Sequence, residues 1–256
     1  MPNPVGGAVL DIATDVLIFL LAGAAAGGFV SGLAGYGTAL FALGFWLTVM
    51  PPIQAVAIGA GVGLVTGVQS YWVVRREIVW SRAALLLVPA LIGLPLGQIA
   101  LTYADPTILR LLIASLLMMN GVFFLFRSSL PKLQRSTPRA DMSVGFIGGI
   151  IGGFAGIAGA LPSMWVALKA CPKLEHRALM QPFVIAILLL TITLMTLRGA
   201  YTPETLNMLM VAVPVTIISG QLGLFVFKRL ADPQFHTLVL LLLFFSGGAI
   251  MVKELL

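Results

Sequence analysis

Gly27–Gly37 reads GGFVSGLAGYG and stands in the middle of the apolar segment 16–50; a second copy, GGIIGGFAGIAG, begins at Gly148. A shift of 121 positions lays Gly28 on Gly149, Gly32 on Gly153 and Gly35 on Gly156, with Ala39-Leu40 on Ala160-Leu161. The chain is internally duplicated, and the most irregular backbone falls in its most apolar part. Glycine inside a helix costs about 1 kcal/mol relative to alanine, so so dense a cluster predicts a broken helix. In a membrane, non-helical backbone persists only where protein or a polar cavity satisfies it. One broken helix in each half of a duplicated membrane protein is the usual pointer to a transporter's substrate site. Close helix packing through small residues is the structural alternative. It asks for spacings of four and leaves Gly37 and Gly159 without a role.

Composition carries the same message outward. Of 256 residues, 59% are hydrophobic and only 9% are charged, and the mean hydropathy is +1.06. A soluble domain carries about 25% charged residues, so the sequence predicts an all-α polytopic membrane protein. The net charge of +6 does not point to nucleic acid, because the basic residues stand in short connections between apolar runs. The single cysteine, Cys171, leaves no intramolecular disulfide and no cysteine metal cluster, and no cofactor or metal is implied. Residues 1–15 lack the basic start of a cleaved signal peptide.

Two repeats follow, at 1–130 and 142–256, joined by a polar cytoplasmic linker at 131–141. The first holds the broken segment 16–50 and spans at 53–74, 83–103 and 107–126; the second holds the broken segment 142–170 and spans at 176–197, 205–227 and 235–252. The span 83–103 is expected to kink or break around Pro89, Gly93 and Pro95. Asp105-Pro106 recurs as Asp232-Pro233 at an offset of 127, which also lays Gly93 on Gly220.

Charge decides the topology. If all eight apolar segments cross, nine basic residues face one side and five the other. If each broken segment instead enters and leaves on one side as a re-entrant hairpin, or a bent first helix, the repeats are inverted. Twelve basic residues, at 75–82, 127–139, 169–177 and 228–229, then oppose Arg198 and Lys253. The positive-inside rule favours the inverted arrangement, with both termini outside the cytoplasm. A 35-residue segment would be about 52 Å long as one helix, far more than the bilayer core of about 30 Å, which also favours a hairpin.

Hairpin tips entering from opposite faces meet at the centre, where the free N–H groups of each return helix favour an anion. All nine acidic residues read as segment ends or loops, which disfavours a cation site or a carboxylate proton relay. Candidate substrate-binding residues are Ser31, Gly32, Gly35, Tyr36, Gly37, Thr38, Gly156, Gly159, Ser163 and Gln181. Secondary candidates are Gln69, Gln98, Asn120 and Gln221 on the spans. His176 and His236 stand at helix ends, as a pH-sensitive gate or as ordinary interface residues, and Arg110 and Arg198 flank the sparse side.

The motif GxxSGLxGxG at Gly28–Gly37, its echo GxxGGFAGIAGALP at Gly149–Pro162 and the half-length duplication resemble the TauE/SafE-type sulfite exporter family, also described as TSUP transporters. The likeness covers essentially the whole chain. It implies a bacterial inner-membrane secondary transporter, not an enzyme, that exports a small sulfur-containing or organic anion such as sulfite, sulfoacetate or a related sulfonate. It implies a central site between the repeats, at 31–38 and 155–163. Its partners would be the anion and membrane lipid, with a homo-oligomer left open. The commoner GxGGG pattern is replaced by Gly35-Tyr36-Gly37-Thr38-Ala39 and Gly156-Ile157-Ala158-Gly159-Ala160, so that Tyr36 is expected to narrow the pocket. The alternatives are a non-transporting membrane scaffold or assembly component, and uptake of another organic anion.

Overall fold

A computed structural model of the chain describes residues 14–103, 105–126, 137–157, 159–169 and 172–229. These form α1 (Thr14–Ala34), α2 (Thr38–Trp46), α3 (Pro52–Val74), α4 (Trp80–Tyr103), α5 (Pro106–Phe126), α6 (Pro138–Ala155), α7 (Ala160–Leu168), α8 (Lys173–Leu197) and α9 (Pro203–Arg229), with no sheet among the described residues. Five of the helices, α1, α3, α4, α8 and α9, are long and apolar enough to cross a membrane. The protein is an all-α, multi-spanning membrane protein. Proline opens α3, α5, α6 and α9 at the first helical position, where its missing N–H and fixed φ cost nothing.

Both glycine clusters break the helix. Between α1 and α2, Gly35 has φ +86° and Gly37 φ +100°; after α6, Gly156 has φ +68° and its N–H donates to Gly152 O. These are left-handed conformations that side chains with a Cβ rarely adopt. Each return helix then folds back along its partner. Gly27 faces Thr38 and Ala42, Gly23 faces Trp46, and Trp46 Nε1 donates to Leu20 O at 3.2 Å. In the second copy Gly148 faces Pro162, while Asp141 Oδ1 accepts from Trp165 Nε1 and Lys169 Nζ.

The remaining glycines of the clusters serve packing. Gly145, Gly149 and Gly153 lie against the carbonyls of Leu86, Ala90 and Leu94, where a Cβ would come within 2.1–2.2 Å of each oxygen. The increasing register makes α6 parallel to α4. In the other half Gly28 faces Thr216 and Gly32 faces Gly220, so α1 is parallel to α9. Small residues at spacings of four let helix backbones touch, which is how apolar helices associate in lipid. At the centre α3 and α8 are antiparallel, with Gly63 against Leu188 and Gly67 against Ile185. Arg82 pairs with Glu175 at 2.6 Å at one end of α4 and α8, and Arg198 Nη1 donates to Gln98 O at 2.7 Å near the other, so these two are parallel. Gly61 faces Leu209, and Gly220 faces Gln69, so α3 and α9 are parallel as well. Thus α1, α3 and α9 run one way and α4, α6 and α8 the other.

Several boundaries differ from the sequence reading. The linker ends earlier, since α6 begins at Pro138 with Asp141 already buried in its first turn. The second span starts at Trp80 and runs unbroken through Pro89, Gly93 and Pro95. Gly93 there accommodates α6, because a Cβ would lie 2.3 Å from Phe146 O. The first span of the second half begins at Lys173, so Arg177, counted with the basic residues at 169–177, lies inside α8. The expected span 235–252, His236, and most of the linker lie outside the described residues.

Candidate functional site

The two breaks meet. A cavity of about 20 Å³, enough for a water molecule, is lined by Ser31, Tyr36, Gly37, Thr38, Ala39 and Leu40 of the first break, by Gly156, Ile157 and Gly159 of the second, and by Gly59, Gly63, Val184 and Leu188 of α3 and α8. Tyr36 is buried against the second break, with its Cβ 3.1 Å from where a side chain on Gly159 would begin. Its ring lies 6.4 Å from that of His176, whose Nε2 is 3.2 Å from Ser163 O.

Two helix N-termini abut the cavity. Gly37 precedes α2 and Gly159 precedes α7, and neither helix receives a side-chain cap hydrogen bond. The first N–H groups of a helix have no partner within it and carry the positive end of its dipole. Proline at position 162 removes one of these donors from α7. Beside α2 stands a hydroxyl cluster. Ser31 Oγ donates to Thr66 Oγ1 at 2.9 Å, Thr38 Oγ1 lies 2.9 Å from the same oxygen, and Thr66 in turn donates to Gly63 O at 3.0 Å. Since Thr66 has one proton and gives it to Gly63, Thr38 is also a donor to it. Among the described residues no carboxylate lines the cavity.

The family model described as Sulfite exporter TauE/SafE matches residues 19–250. The chain belongs to this family. It is a transporter and not an enzyme. No curated protein matches it in sequence.

Of the residues singled out in this TauE/SafE-type transporter, Ser31, Tyr36, Gly37, Thr38, Gly156 and Gly159 come together around the cavity. Gly32, Gly35, Ser163 and Gln181 are not among its lining residues. Gln181 Nε2 donates to Gly35 O at 2.5 Å, while its buried Oε1 has no partner. Ser163 turns back on α7, donating to Ala160 O. The secondary candidates lie elsewhere. Gln98 Nε2 donates to Gly153 O at 2.8 Å in the α4–α6 contact. Gln69 is half-buried, with Oε1 close to Gly220, and Gln221 is exposed. Asn120 donates to Leu116 O within α5.

Three residues at the site escaped the sequence reading: Thr66, Ser70 and Arg177. Thr66 and Ser70 sit among ordinary small residues of α3, and nothing in one sequence distinguishes them. Arg177 had a signal. It lies four residues before Gln181, hence on the same face of α8, but its polar neighbours Lys173, Glu175 and His176 made it read as a charge at the helix end.

Proposed function

We propose that the protein exports a small oxyanion, such as sulfite or a sulfonate, across a bacterial inner membrane through the central cavity between two inverted repeats. The observation that carries this reading is the convergence of two uncapped helix N-termini, one from each repeat, on one cavity that holds hydroxyls and no carboxylate. N–H groups and dipole ends at that point favour negative charge. An arriving anion would take the Ser31 and Thr38 protons from Thr66, redirecting two existing donors to itself. The cavity is too small for a polyatomic anion, so transport requires the two breaks to part.

The packing directions support the inverted arrangement. Because α1 and α3 are parallel and α2 runs back between them, the first broken segment begins and ends on one side. Since α6 and α8 run the opposite way, the second does so on the other side. The described basic residues at 75–82, 139, 169–173 and 228–229 then share a side, which reads as cytoplasmic, with the start of α1 on the other. For a dianion an inside-negative potential contributes about 4.6 kcal/mol of outward drive per 100 mV, so export needs no coupling ion.

The test is anion-induced thermal stabilisation of the purified protein across sulfite, sulfate, thiosulfate, sulfoacetate, taurine and simple carboxylates, with Gly35→Val as the control. At Gly35 a Cβ would lie 3.0 Å from Arg177 Cγ on a backbone with φ +86°. Selective stabilisation by one class of anion, lost in Gly35→Val, is expected. Stabilisation that survives in the variant would move the site away from the first break, and no response to any of these anions would count against the whole reading.

A further inference from the structure

Arg177 is 1% exposed in the interior of a membrane protein. Its Nη2 donates to Gly32 O at 2.9 Å and Ser70 Oγ at 2.7 Å, and its Nη1 to Leu33 O at 3.4 Å. The Phe227 ring lies 4.5 Å from its guanidinium carbon, and Nε is buried without an acceptor. Glu175, in the first turn of α8, pairs with Arg82, and the buried Asp141 pairs with Lys169. Among the described residues no carboxylate pairs with Arg177. Among the described residues its positive charge is therefore met by neutral oxygens, the face of a ring and the partial negative charge at the C-terminus of α1.

This guanidinium stands directly behind the first break. The Cβ absent from Gly35 would touch its Cγ and Nε at 3.0 and 3.1 Å, and Gly37 and Thr38, two and three residues further on, line the cavity. One turn along α8, Gln181 holds the carbonyl of Gly35 itself. Two side chains from the second repeat thus fasten the break of the first through three carbonyl oxygens, those of Gly32, Leu33 and Gly35.

We propose that Arg177 is an oxyanion-exchangeable latch. An anion with two or more terminal oxygens, passing between the cavity and the side on which α8 begins, takes the guanidinium from the Gly32 and Leu33 carbonyls, and the last turn of α1 is released. An oxyanion supplies the opposite charge that the carbonyls lack, and the planar fork binds its paired oxygens at two points, so the exchange favours the anion. A buried charge without a counterion adds to that preference. Halide, which cannot engage the fork at two points, would not work the latch. The inference rests on the anion-transport reading and adds to it a substrate-class filter and a trigger.

Amide hydrogen exchange of the wild-type protein in sodium sulfite against sodium chloride of equal ionic strength tests this, together with melting curves of Arg177→Gln and Arg177→Lys. Sulfite is expected to raise the melting temperature while speeding exchange at residues 31–35, because the carbonyl cap is withdrawn. Arg177→Gln, which can still donate to the carbonyls, is expected to need about tenfold more sulfite for half-maximal stabilisation, with Arg177→Lys between. If sulfite stabilises the wild type but exchange at 31–35 is unchanged or slowed, or if Arg177→Gln responds to sulfite as the wild type does, Arg177 is only a helix cap and the transport reading stands without the latch. If no anion stabilises the wild type, the transport reading fails and takes the latch with it.

Discussion

At the scale of single residues the site depends on groups that are ordinary in isolation. Thr66 is the hub of the hydroxyl cluster, accepting from Ser31 and Thr38 and donating to Gly63 O. Thr66→Val keeps the shape and removes the hub, leaving buried donors unmatched. A loss of about 1–3 kcal/mol in stability, with weaker anion binding, is expected. Thr66→Ser should restore both, and melting with and without sulfite checks each. The sequence made the tips visible because glycine has few reasons to recur in an apolar helix, and six of the ten tip candidates do line the cavity. It hid Thr66 and Ser70 because a threonine or serine in a membrane helix usually bonds only to its own backbone. Arg177 was hidden differently. A cation beside a loop is nearly always solvated, and only the three-dimensional approach of α1 shows that this one is buried.

At the scale of elements, the glycines divide into two kinds that the sequence runs together. Gly32 has no room, since a Cβ would lie 2.0 Å from Gly220 O; at Gly37 a Cβ would make only ordinary contacts, the nearest 3.8 Å from Val30, but φ is +100°. Gly32→Ala must push α9 away from α1 and is expected to cost more than Gly37→Ala, whose penalty is local strain of about 1–2 kcal/mol. Thermal melting of the two variants compares them, and a larger loss from Gly37→Ala would reverse the assignment. Gly28, Gly32, Gly149 and Gly153 therefore follow the packing alternative, while Gly35, Gly37 and Gly156 make the breaks. The start of α5 was legible outright. Asp105 accepts from the N–H groups of Thr107 and Ile108, and these bonds hold its carboxyl below the ordinary value of 3.8. A depressed carboxylate stabilises the folded state above its unfolded pKa, and that contribution fades as pH falls through the lower folded value. The stability difference between wild type and Asp105→Ala is thus expected to be constant above about pH 5 and to shrink below the ordinary value. A difference that stays level down to pH 3 would mean that the cap contributes nothing through its charge.

At the scale of the molecule the sequence carried the class, an all-α multi-spanning membrane protein; it did not carry which helices pack on which. Tyr103, 87% exposed, and Glu77, also exposed, lie at opposite ends of the bundle. In a Cys171→Ser background, Tyr103→Cys is expected to react with an impermeant thiol reagent from outside intact cells and Glu77→Cys only after lysis. Labelling of both in intact cells would reject the inverted topology. The unforeseen part is the exchange of partners, with α1 seated on α9 and α6 on α4. The sequence reads as doubled, but the tightest backbone contacts join one half to the other, α1 to α9 and α6 to α4. Neither sequence half holds both members of either pair. Any rocking that opens the cavity must therefore carry pieces of both halves together, and a protein cut at its linker would have to interlace two chains before it had anything to move.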